Sequence, residues 1–196
     1  MITRPATADD VPLVVDTLVR AFDQDPTWST VLPDDALRPA QYTYLFTLFV
    51  EGALPHGGVW TTDAAEAVSV WLPPGADELT PEQDEQLELY LDRLPHASSD
   101  AVRALIALFD ENHPTDRPHH YLSLLGTHPN HRGQGVGMDL VRSDLARIDA
   151  LGDPAYLEST NPANLDRYAS VGFVPLGEFT LHSGGPTVTT MWREPR

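Results

Sequence analysis

The chain has no cysteine. That absence excludes disulfide frameworks, cysteine-ligated zinc, iron–sulfur clusters and thiol nucleophiles. Cations are scarce as well: 12 Lys+Arg stand against 29 Asp+Glu, for a formal charge of −17. Nucleic acid binding needs basic surface to neutralise phosphates, so it is not expected here. No apolar run approaches the roughly 20 residues that cross a bilayer. The opening Met1-Ile2-Thr3-Arg4-Pro5 lacks the apolar stretch of a signal peptide. The expectation is a cytoplasmic protein with neither a nucleic acid nor a membrane as partner.

What remains is ordinary for a folded chain, with 41% hydrophobic and 21% charged residues. The length of 196 residues suits one domain over 1–196 with a sizeable core. Its negative field favours cationic ligands such as amines.

Periodicity and punctuation predict alternating strands and helices. A short strand over 1–6 precedes a helix over about 9–22, in which Val11, Val14, Val15, Leu18 and Phe22 share one face. Pro26 breaks the chain within Asp23–Trp28, and a second helix runs from about Arg38 to Ala53. A hairpin over 59–62 and 65–72 follows, and Pro73-Pro74-Gly75 ends it. Two helices, about 81–94 and 98–112, form an insert over about 76–112. Tyr121–Gly126 reads as a buried strand, Gly135–Leu151 as an amphipathic helix and Ala155–Thr160 as another strand. Asn161 caps a short helix over 162–170, with Pro162 at its first position. Strands over 173–181 and 187–193 close the chain around Ser183-Gly184-Gly185-Pro186. The fold class is mixed α/β with one βαβ unit at its centre.

The loop inside that unit carries the chemistry. Gly133, Gly135 and Gly137 lie between the buried strand and the amphipathic helix. The first N–H groups of a helix lack intrahelical partners and sit at its positive end, so bare glycines there can press donors against a phosphate. Arg132 adds a positive charge. Met138 and Leu140 occupy positions where the dinucleotide fingerprint needs glycine, and the Gly-Lys-Ser/Thr of triphosphate loops is absent. His128 and His131 with neighbouring prolines read as solvated loop, so no metal is expected. No Gly-x-Ser-x-Gly elbow is present.

What does match is Arg-x-x-Gly-x-Gly over Arg132–Gly137, which resembles the pyrophosphate loop of the GNAT superfamily of acetyl-CoA-dependent N-acetyltransferases. Asn161–Phe173 looks like the family's Asn-x-x-x-Tyr-x-x-x-Gly-Phe segment, read on Asn164, Tyr168, Gly172 and Phe173. The order of elements is similar too. The layout most resembles the puromycin type of antibiotic N-acetyltransferases, through Ala21-Phe22-Asp23, Tyr121–Gly126 and Tyr156-Leu157-Glu158-Ser159.

The resemblance implies a central mixed, mostly antiparallel twisted sheet flanked by helices, with the helical insert between strands three and four. It implies a core over about 119–175 that binds acetyl-CoA as acyl donor. Main-chain groups of Leu124, Leu125, Gly126 and Thr127 would meet the pantetheine arm. Arg132, Gly133, Gln134, Gly135, Val136 and Gly137 would hold the pyrophosphate. Asn164 would contact the cofactor near its sulfur, and Tyr168 would protonate the departing thiolate. General-acid logic supports the last role, because a thiolate leaves more easily as a proton arrives.

An amine acceptor is mostly protonated near neutral pH, so a base must take its proton. Glu158 is the first choice, with His119 and His120 as alternatives. Asp25 and Trp28 are the expected acceptor contacts, by ion pair and by stacking or cation–π contact. The expected reaction is direct transfer to a small-molecule amine in a ternary complex, because no cysteine can carry the acyl group. Modification of a protein N-terminus or lysine, and a non-catalytic acyl-CoA-binding regulatory module, are the alternatives. The closing β segment permits a homodimer.

Overall fold

The computed structural model describes residues 2–181 and 184–196, and Ser183 of the closing turn lies outside the described residues. Among the described residues seven strands form one sheet: β1 (Thr3–Pro5), β2 (Val59–Thr62), β3 (Ala67–Leu72), β4 (His120–Thr127), β5 (Ala155–Ser159), β6 (Val174–Thr180) and β7 (Thr187–Arg193). Their order is β1-β2-β3-β4-β5-β7-β6. Only β4 and β5 run parallel, while every other neighbouring pair is antiparallel. The helices are α1 (Val11–Phe22), α2 (Pro26–Val31), α3 (Arg38–Ala53), α4 (Pro81–Leu91), α5 (His96–Asn112), α6 (Val136–Leu151) and α7 (Leu165–Ser170). The mixed, mostly antiparallel sheet and the helical insert after the third strand are therefore as the sequence predicts.

The periodic apolar positions explain which helix covers which face. Val14 and Leu18 of α1 and Tyr42 and Phe46 of α3 bury against Val68, Val70 and Leu72 of β3. On the opposite face Val141, Leu145 and Ile148 of α6 pack with Trp71, Leu122, Leu157 and Met191. Crossovers of this kind bury both sides of the parallel pair.

Two local departures from regular pairing build the site. In β4, Leu122 pairs with Trp71 and Leu124 with Val70, which leaves Ser123 as a bulge. One extra residue reverses the alternation of faces. Leu122 therefore belongs to the α6 side and Leu124 to the α1 side, with Tyr121 on the α1 side too. The second departure is a divergence. Pairing of β4 with β5 ends at Leu122 and Leu157, although β4 continues to Thr127. Beyond that point β5 pairs only with β7, Glu158 opposite Thr190 and Ser159 opposite Thr189. The β5-facing main chain of β4 is left without a strand partner.

Asp23–Trp28, expected as a plain break, also starts a helix. Asp25 caps α2 and Pro26 is its first residue, so one proline both ends α1 and opens α2. The insert is held close to the core by Gly52 of α3, where a Cβ would lie 2.1 Å from the main-chain oxygen of Glu78. Ala is ordinarily the better helix residue by about 1 kcal/mol. Here the sign is expected to reverse, with Gly52→Ala destabilising the fold by about 1–3 kcal/mol because backbone must shift. Urea denaturation with a constant m-value measures this.

Candidate active site

The divergence of β4 and β5 opens a cleft of about 1580 Å³. At one end it is walled by Arg132, Gly133, Gly135, Val136 and Gly137. Gly133 and Gly135 take φ of +77° and +81°, and α6 starts directly after Gly135 with no side chain capping it. Its first N–H groups are thus free of a side-chain acceptor, in a region where positive φ favours glycine. A Cβ on Gly137 would fall 2.2 Å from Thr127 Oγ1, so glycine also lets α6 sit close to β4. The Arg132 guanidinium donates to the Ala21 carbonyl at 2.7 Å, on the last turn of α1. Gln134 turns its side chain back to donate to the Asn130 carbonyl at 3.3 Å, leaving only its main chain to the loop. This end fits a paired phosphate.

Along the open edge of β4, Leu124, Leu125 and Thr127 line the cleft, and Leu124 is at the same time packed into the core. Gly126 faces α1, where a Cβ would approach Ala21 Cβ and Leu18 Cδ2 at 3.0 Å. Asn164 also lines the cleft and accepts from Arg167 Nη1 at 2.8 Å. Tyr168 of α7 reaches the same space and packs edge-on to Phe173, with ring centroids 6.2 Å apart. Its hydroxyl donates no hydrogen bond among the described residues. Burial, with the nearby charge of Asp25, pushes its pKa well above that of an ordinary phenol, so it stays protonated.

The other end of the cleft is acidic. The Glu158 side chain is 2% exposed, its Oε1 lies 3.7 Å from His113 Nδ1, and that oxygen accepts no hydrogen bond. Burial raises the phenols of Tyr121 and Tyr156 beside it, and the charge of Glu158 adds to both shifts. Glu78, from the loop between β3 and α4, accepts from the hydroxyl of the bulged Ser123. Burial pushes the Glu78 pKa up to about 7, and the charges of Glu158 and Asp110 push the same way. His119 is buried, its Nδ1 2.8 Å from the Arg117 carbonyl and its Nε2 2.9 Å from His113 Nε2. His120 is instead paired with Asp153 at 3.2 Å, away from this cluster.

The sequence pattern of the Acetyltransferase (GNAT) family matches residues 60–173, more than half of the chain. The chain belongs to the GNAT acetyltransferase family. Among solved structures it is similar to a Corynebacterium glutamicum protein described as histone acetyltransferase HPA2 and related acetyltransferase. That likeness has 29% identity and a TM-score of 0.68, over 99% of this chain and 96% of the other. It also shares its fold with arylalkylamine N-acetyltransferase 2 of Aedes aegypti, at 13% identity and a TM-score of 0.69 over 100% and 99% of the two chains. The polyamine N-acetyltransferase of Drosophila melanogaster shares it at 14% identity and a TM-score of 0.65, over 98% of this chain and 99% of the other.

Within this GNAT fold both expected acceptor contacts, Asp25 and Trp28, line the cleft and also have structural partners. Asp25 accepts from the main-chain N–H of Thr27 and of Trp28, both at 3.0 Å, and from Thr160 Oγ1 at 2.7 Å. It thereby caps α2 and ties it to the end of β5. Trp28 packs edge-on against Tyr42 and Phe46 in the core. The carboxylates with spare capacity are farther along the cleft, and one of them, Glu78, is not marked by any sequence motif. His113 is equally unmarked. The only signal for either is topological: an insert between strands three and four must leave and rejoin the sheet at the cleft.

The raised Glu78 pKa has a sign for stability. An acid favoured in its neutral form by folding contributes fully below its ordinary value, and that contribution is lost as pH rises through about 7. Glu78→Gln is therefore expected to raise Tm relative to the parent at about pH 8, with the gap closing towards about pH 4.5. Paired thermal melts across that range measure it.

Proposed function

We propose that the chain transfers an acetyl group from acetyl-CoA to the primary amine of a small molecule by direct attack in a ternary complex. The observation that carries this reading is a single cleft with a glycine-built anion cradle at one end and, at the other, a buried carboxylate whose Oε1 has no hydrogen-bond partner. Tyr168 opens onto the same cleft.

Arg132, Gly133, Gln134, Gly135, Val136 and Gly137 hold the pyrophosphate through main-chain N–H groups and the Arg132 charge. The main chain of β4 over Leu124, Leu125, Gly126 and Thr127, which β5 leaves unpaired, hydrogen-bonds the pantetheine arm. Asn164 contacts the cofactor near its sulfur. Bound there, acetyl-CoA supplies an activated acyl group as a thioester. Tyr168 holds a proton ready for the departing sulfur, and Glu158 takes one from the acceptor nitrogen. The acidic end attracts an ammonium and keeps it oriented.

Small amines, including aminonucleosides of the puromycin type, suit a cleft of this charge. The reading is of one cytoplasmic acetyltransferase domain over 1–196. A panel of phenethylamine, 1,4-diaminobutane, puromycin and a lysine-bearing peptide, each with acetyl-CoA, tests it through free-thiol release. A small amine is expected to release thiol well above background hydrolysis. Thiol release with the peptide alone would move the acceptor to protein, and no heat on titrating acetyl-CoA would remove the reading.

A further inference from the structure

Two imidazoles, His113 and His119, line the cleft beside Glu158, and their contacts fix where each hydrogen lies. A carbonyl oxygen only accepts, so His119 Nδ1, 2.8 Å from the Arg117 carbonyl, must carry a hydrogen. Burial lowers the His119 pKa and keeps the ring neutral, which leaves Nε2 as a bare acceptor. His113 Nε2, 2.9 Å from that atom, must therefore be the donor. Neutral His113 then presents a lone pair at Nδ1, and that atom faces the Glu158 Oε1 that has no hydrogen-bond partner, 3.7 Å away. Two lone pairs opposed across a buried gap repel, and one proton taken up between them removes the repulsion.

We propose that Glu158 and His113 accept the amine's proton as one unit, with His119 as the positioning residue that fixes the His113 tautomer. The proposal rests on the acetyl-transfer reading for the source of the proton, and on geometry alone for the unit itself.

Acidic groups dominate the surroundings of His113. Glu78 approaches from the loop before α4, Asp110 from α5 and Glu158 from β5, against Arg117 from the loop before β4. Tyr121 and Tyr156 pack edge-on at 4.9 Å and remain neutral, and His120 is paired with Asp153. An arriving ammonium is a like charge to any proton the unit holds, and such a proton leaves to solvent through His113, whose side chain is 31% exposed. The emptied unit then takes a proton from the ammonium, and the lone pair this frees on nitrogen forms the bond to the acyl carbon as the carbon–sulfur bond breaks. Tyr168 provides the proton for sulfur and is refilled from the nitrogen's second proton. The net change is one proton released per amide formed.

Nitrogen-15 NMR of histidine-labelled full-length protein without substrate tests the unit. The expected spectrum shows His119 as the Nδ1–H tautomer and His113 as Nε2–H, with His113 gaining its proton at Nδ1 as pH falls. In Glu158→Gln the nitrogen-15 signal of His113 Nδ1 is expected to move, because the amide facing it can donate to its lone pair. An Nδ1–H tautomer for neutral His113, or an unmoved Nδ1 signal in Glu158→Gln, overturns the proposal.

The kinetic arm uses whichever panel amine releases thiol. His113→Asn is expected to lower kcat by about 10²-fold at neutral pH, with the loss shrinking at alkaline pH where free amine supplies itself. His119→Gln, which keeps an acceptor oxygen opposite His113 Nε2, is expected to recover most of what His119→Leu loses. A His113→Asn enzyme with the parent's pH profile would overturn the unit even if every amine result supports acetyl transfer. If no amine reacts, the NMR arm still decides the unit separately.

Discussion

Tyr168→Phe is expected to lower kcat by about 10²-fold or more while leaving the dissociation constant of acetyl-CoA unchanged. The substitution deletes one hydroxyl and keeps the ring, which packs on Phe173 in the cluster beneath α7. That hydroxyl donates to no group among the described residues, so its loss strands no partner and costs the fold little. The cradle at Gly133–Gly137 is built by another element and is untouched. Because burial holds the phenol well above its ordinary pKa, Tyr168 is protonated throughout the working range. The parent's pH profile should therefore show no basic limb from this group below about pH 10. Thiol release gives kcat and calorimetry gives the binding constant. A parent-like kcat in Tyr168→Phe would take the proton-donor role from this residue.

The parts of this site that one stretch of sequence builds were legible in advance. Gly133–Gly137 read correctly as a strand-to-helix loop because glycine, strand and amphipathic helix follow one another directly. The insert was equally plain, since Thr80 and Gln83 form a capping box at α4 and the 3.6 period continues through both of its helices. Tyr121–Gly126 shows where reading stops. Its run of apolar residues marks a buried strand on both faces, and nothing in it reveals that Ser123 is a bulge. Yet that bulge puts Tyr121, Ser123 and Leu124 on the α1 side, and through Ser123 it anchors Glu78. Register against a distant strand decides this, and no local spacing encodes it.

Asp25 teaches the converse. Local rules read it as a loop carboxylate beside an aromatic, a fair amine contact. The Asp-Pro pair is also a helix start, and the cap, together with Thr160 just past β5, takes up its oxygens. Glu78, Glu158 and the Asp110–His113 end of α5 come from three segments, and only tertiary structure makes them one electrostatic group.

Glu158→Gln is expected to cost about 10²–10⁴-fold in kcat at neutral pH. The amide keeps the shape of the side chain but cannot accept a proton from an ammonium. The loss should shrink as pH approaches the acceptor's own pKa, because solvent then delivers free amine. The same substitution should raise stability. In the parent a carboxylate with a 2% exposed side chain and one oxygen without a hydrogen bond stands close enough to Glu78 to help raise its pKa. Removing that charge relieves the repulsion, and the Glu78 pKa should fall from about 7 towards its ordinary value. A buried charge retained at a cost to the fold is expected where chemistry requires it, so lost turnover and a higher Tm in one variant form the signature of a catalytic base. Kinetics and thermal melts on the same preparation test both halves. A Glu158→Gln protein that kept its turnover and lost stability would assign this carboxylate to the framework, and the proton would then have to go to Glu78.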